Sequence, residues 1–129
     1  MKAWIQSSDF SSKEFDLDAA EATHAFTAHD WSRENAQCAQ LESEGKEFCE
    51  PGLGLVRSDG QILHICPDDD SAMVHWHKPV RVLGFLWRSP RVESFRDYPL
   101  ADVGALIEAF YREDDVEVEK RFAGVPVAG

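Results

Sequence analysis

The sequence predicts an α+β fold in which helices cover one face of an antiparallel sheet. Three observations carry that expectation. Apolar residues recur at spacings of three and four between Asp18 and Glu44, alternate with period two between Leu53 and Arg96, and return to helical spacing after Pro99. The expected order is an N-terminal helical hairpin, an antiparallel β-meander of four to five strands, and a C-terminal helix packed on the sheet. At 129 residues and 43% hydrophobic, the chain fits a single domain over 1–129 with a core of its own.

Each element has a local reason. Lys2 to Gln6 reads as a short first strand. Asp18 is an N-cap with Glu21 in capping-box position, and Ala19, Ala22, Phe26 and His29 mark the apolar face of a first helix. Asp30 or Ser32 caps a second, running to about Glu44 with Trp31, Cys38 and Leu41 as its stripe and Gly45 as its stop. The two helices are expected to pack together. Glu50-Pro51-Gly52 ends helical character.

Strands follow at Leu53–Arg57 and Gln61–Cys66, joined at Asp59-Gly60. Ala72–His77 is a third. Pro79 is expected to break it before a fourth at Val80–Arg88, and Ser89-Pro90 to turn the chain before Arg91–Arg96. Pro99 starts a helix with Leu100, Val103, Leu106, Ile107 and Phe110 on one face. Val116 and Val118 alternate with acids, as in a short edge strand, and residues 123–129 form a fraying tail.

Charge excludes more than it identifies. With 24 acidic and 13 basic residues the net charge is −11, which opposes binding to nucleic acid and to anionic membrane faces. The N-terminus has no apolar signal segment. Cys38, Cys49 and Cys66 form no CxxC pair, so a reducing, cytoplasmic location is expected.

One constellation carries chemistry. His64 and Cys66 lie two apart on one expected strand, and His75 and His77 two apart on the next. A turn centred on Asp69 and Asp70 sets His64 opposite His75, Cys66 opposite Met73 and Ile62 opposite His77. All four polar residues then share one face, and Leu63, Ile65, Val74 and Trp76 line the other. Three imidazoles and a thiolate suit zinc or another transition metal, with Asp68, Asp69 and Asp70 near as acceptors. The alternative is that these are ordinary positions on a sheet face. A two-residue type I′ turn at Asp59-Gly60 would also bring Leu53 and Leu55 onto the histidine face.

A second set is basic. Between Lys78 and Arg96 five basic residues meet one acid, and Arg81 and Arg88 flank Trp87, a set that could take an anionic small molecule. The simpler expectation is that these arginines pair with the acidic helices and with Glu113-Asp114-Asp115. Three functions are therefore ranked: a binding or regulatory protein whose acidic surface engages a basic protein partner, a metal-dependent hydrolase-like enzyme using His64, Cys66, His75 and His77, and an anion-binding domain using Arg81, Trp87 and Arg88.

Overall fold

A computed structural model describes residues 1–82 and 86–128, and for residues 80–82 and 86–90 only backbone pairing is described. Six strands are present among the described residues: β1 (Lys2–Gln6), β2 (Ser12–Asp16), β3 (Gly52–Val56), β4 (Ile62–Pro67), β5 (Ser71–Val82) and β6 (Leu86–Pro99). They form one antiparallel sheet in the order β2-β1-β3-β4-β5-β6. The helices are α1 (Ala19–Ala28), α2 (Trp31–Ser43), α3 (Val103–Tyr111) and α4 (Asp115–Arg121), with a 3₁₀ turn at Leu100–Asp102. The α+β class holds; β3 to β6 form a meander of four strands, and β1 and β2 extend the sheet to six among the described residues. No helix is long and apolar enough to cross a membrane among the described residues.

The expected helical hairpin is not formed. The Asp18–Glu21 capping box is present, and α1 buries Ala22 and Phe26. It does so against α3, not α2. Helix α2 has no buried residue, because Trp31, Cys38 and Leu41 make too narrow a stripe to fill an interface. Its one apolar anchor is the half-buried Trp31, whose ring lies 5.7 Å from that of Phe26, and polar ties add to it: Trp31 Nε1 donates to Phe26 C=O (2.7 Å), and Asn35 Nδ2 to Pro67 C=O (3.0 Å).

Proline misled the strand count. Pro79 lies inside β5 and Ser89-Pro90 inside β6, at one irregularity where the register steps from Lys78↔Arg91 to Val80↔Arg88. Two residues of β6 there face one of β5, and a bulge is where a missing N–H does least harm. Val116 and Val118 are helical, in α4. Asp114 accepts from Glu117 N–H (3.1 Å), Asp115 and Glu117 lie in the first turn, and Lys120 and Arg121 in the last, so these charges suit the helix dipole. Val118 and Phe122, four apart, are the buried pair. After α4, the chain end meets β6, with Arg96 N–H donating to Pro126 C=O (3.0 Å).

All the core lies on one side of the sheet. Ala3, Leu53, Leu55, Leu63, Ile65, Val74 and Trp76 meet Phe26, Val103, Leu106, Ile107, Phe110, Val118 and Phe122 from the helices. Burying each large side chain contributes roughly 1.5–3 kcal/mol. The other face of the central strands is left without helical cover, and the polar residues stand on it.

Arg57 closes the sheet's lower end. Its buried guanidinium lies over the Phe110 ring at 4.9 Å and pairs with Asp59 and with Asp115 (2.7 Å). Arg57 thus pairs with two of the acids, Glu113 and Asp115, that the β5–β6 arginines were expected to meet. Lys78 and Arg91 pair with Glu93 at 2.8 and 3.5 Å, inside their own hairpin. The side chains of Arg81, Trp87 and Arg88 lie outside the described residues.

Candidate metal centre

The β4–β5 register is the expected one: His64↔His75, Cys66↔Met73 and Ile62↔His77. Period two then puts His64, Cys66, His75 and His77 together on the open face. The β3–β4 hairpin keeps the expected strands on either side of Ser58-Asp59-Gly60, and its register is not that of a two-residue type I′ turn. Arg57 N–H donates to Gln61 C=O (2.9 Å) and Gly60 N–H to Arg57 C=O (3.0 Å), which closes a three-residue loop with Gly60 at φ +89°. A loop one residue longer than a type I′ turn moves every β3 side chain to the opposite face. Leu53 and Leu55 therefore enter the core against Ile65 and Leu63, and Gly52 and Gly54 lie beside the histidines.

Those glycines shape the site. A Cβ on Gly54 would collide with the Trp4 indole, which lies flat across it and stacks on His64 at 5.9 Å. A Cβ on Gly52 would come within 2.6 Å of Ile65 C=O, 2.9 Å of His64 Nε2 and 3.0 Å of Cys66 Sγ. The absence of both side chains lets an aromatic, an imidazole and a thiol pack on one strand width.

The group whose donor atoms converge is Glu50, Cys66 and His75, all within 4.8 Å of one another. His75 Nδ1 is 2.7 Å from Ser94 Oγ, and Nε2 faces Glu50 at 4.0 Å. The tautomer that donates Nδ1–H to Ser94 leaves the Nε2 lone pair for a metal, and the hydroxyl fixes the ring. Cys66 is buried, His75 half-buried, and Glu50 exposed on the segment leading into β3. Tetrahedral zinc needs donors roughly 3.3–3.8 Å apart, since its bonds run about 2.0–2.3 Å. At up to 4.8 Å the three donors stand wider than that, so the group would have to draw together to hold an ion.

His64 touches the group without joining it. Its nitrogens are 3.7 and 3.8 Å from Cys66 Sγ, and its ring is 6.0 Å from that of His75. His77 stands one row further along, opposite Ile62 and Val92. Glu50 is the member of the group that sequence reasoning missed. Its signal was parity: Glu50, Gly52 and Gly54 fall on one face once the longer loop is assigned.

Burial favours the neutral forms of His64 and Cys66. Burial, then the neighbouring His75 and His77, pushes His64 down to about 4. Burial first, then Glu50's charge, pushes the Cys66 thiol well up. The Cys66–His64 pair is therefore a neutral thiol beside a neutral imidazole, not an activated thiolate. Glu50 is held below its usual range, chiefly by the His75 ring that faces it. A metal at this group has to displace the thiol's proton.

A cleft of ≈ 410 Å³ opens beside the group, with Cys66 and Met73 on its floor and α2 as one wall. Glu42, Glu50, Asp68 and Asp97 line it against the single cation Arg96, so its field favours positive ions. Of the three turn acids, only Asp68 borders it. Cys38, expected as a buried apolar residue, is half-buried on this wall.

No protein-family model, curated protein or solved structure matches the chain significantly.

Proposed function

We propose that this chain binds a divalent transition metal of the zinc type through Glu50, Cys66 Sγ and His75 Nε2, and uses it for hydrolytic chemistry in the adjoining cleft. One observation carries the reading: a carboxylate, a thiol and an imidazole converge within 4.8 Å beside an acidic cleft. Mixed oxygen, sulfur and nitrogen donors suit a borderline-soft cation. Three protein ligands leave one position for water, which such a metal activates near neutral pH. His64, neutral and pressed on Cys66, shields the site from the Trp4 side.

The test is metal content. Tag-free protein incubated with zinc and desalted should retain about one ion per chain by elemental mass spectrometry. His75→Ala should lose it while melting within a few degrees of the parent. Zinc-free parent protein after that treatment, or full retention by His75→Ala, would overturn the assignment.

A further inference from the structure

The two edges of the sheet differ. β6 is partly covered by the chain's own end, where Ala128 N–H donates to Ser94 C=O (2.9 Å) and Val127 bridges Phe95. Among the described residues β2 has no such cover, and all five of its residues are exposed. Ser7 N–H donates to Ser11 C=O (2.8 Å) at one end of the β1–β2 ladder and Leu17 N–H to Met1 C=O (3.1 Å) at the other. That alternation pairs Lys13 and Phe15 with β1 and turns the N–H and C=O of Ser12, Glu14 and Asp16 outward.

The helix layer also stops short of this edge. Phe15 stays 38% exposed, and an apolar groove of ≈ 470 Å³ runs between it and α1, floored by Leu17, Ala20 and Ala25. Glu14 lies opposite Trp4, so its side chain belongs to the other, open face. From Asp9 to Glu21 there are five acids and one lysine.

We propose that β2 is a docking edge for an extended segment of a partner protein in which apolar and basic residues alternate. Its backbone adds a seventh strand on Ser12, Glu14 and Asp16. Its apolar side chains fall into the groove beside Phe15, completing the layer beneath α1. Its basic side chains stand beside Glu14 and Asp16 on the open face. A second copy of β2 fits poorly, because acids would face acids across the new pair.

The probe is a synthetic nine-residue peptide alternating lysine and valine, with a glutamate–valine peptide as control. Saturable binding of the lysine peptide alone is expected, weakening about tenfold as salt is raised. Amide exchange should slow at Glu14 and Asp16. Glu14→Pro deletes an outward N–H without touching the β1 ladder, and should weaken binding about tenfold. If that variant melts early, the double substitution Glu14→Lys with Asp16→Lys takes its place, with a loss of at least the same size expected. Failure of the lysine peptide to bind, equal binding of the control, or affinity unmoved by these substitutions would overturn the proposal. A dimer dispersed by Glu14→Pro would overturn it too, by giving the edge to a second copy.

Discussion

The two faces of β4 and β5 are built from alternate residues of the same twelve-odd positions, and they do opposite work. On the covered face Leu63, Ile65, Val74 and Trp76 are at most 1% exposed, with the Trp76 indole N–H satisfied by Gln61 Oε1 at 2.8 Å. On the open face His64, Cys66 and His75 are packed without being sealed, held by a stacked indole, two glycines and one serine hydroxyl. The covered face supplies stability that tolerates little change. The open face spends little of it and carries the polar chemistry. Adjacent residues on one strand can therefore differ greatly in what their loss costs.

The sharpest way to break this comparison is to truncate neighbours. Trp76→Ala should destabilise by about 3–5 kcal/mol in urea unfolding, whereas His75→Ala should cost under about 1 kcal/mol. Equal costs would make the histidine face structural. Next in size is Gly54→Ala, whose new methyl displaces the Trp4 ring and should cost about 1–3 kcal/mol. Adding Trp4→Ala should recover part of that loss; a strictly additive double variant would refute the steric explanation.

A smaller effect lies in pH. His64 titrates near 4 in the fold against an ordinary value of 6.5, so between these values the unfolded chain binds more protons. Stability of the metal-free protein should therefore fall as pH drops from about 6.5 to about 4, by on the order of 1 kcal/mol per pH unit at most. His77, lowered chiefly by burial, acts in the same direction. His64→Gln should flatten the profile across that window. An unchanged slope would show that the His64 ring is solvated and not packed against Trp4 and Cys66.

Much of this was legible from residues close in sequence. The Asp18 capping box, the Asp30 cap of α2 and the α3 stripe from Val103 to Phe110 formed where local chemistry placed them. So did the β4–β5 pairing, because its short acidic turn leaves one register that buries Leu63 and Ile65. The segment Asp114–Phe122 was misread because two valines two apart mimic a strand. Its caps and charges, and the burial of Val118 with Phe122, belong to a helix. β2 was passed over since none of its residues is buried, and without a buried face there is no periodicity to read.

By itself the sequence determined the α+β class, the limits of α1 and α2, and the shared face of His64, Cys66, His75 and His77. Each follows from a cap, a turn or a two-residue repeat, which are local. Tertiary structure alone decided which face the helices cover, that α1 packs on α3, and that Glu50 joins Cys66 and His75 while His77 does not. Those outcomes depend on one residue of loop length at Ser58–Gly60 and on which apolar stripes are wide enough to bury, and both are settled only when distant strands and helices compete for the same core.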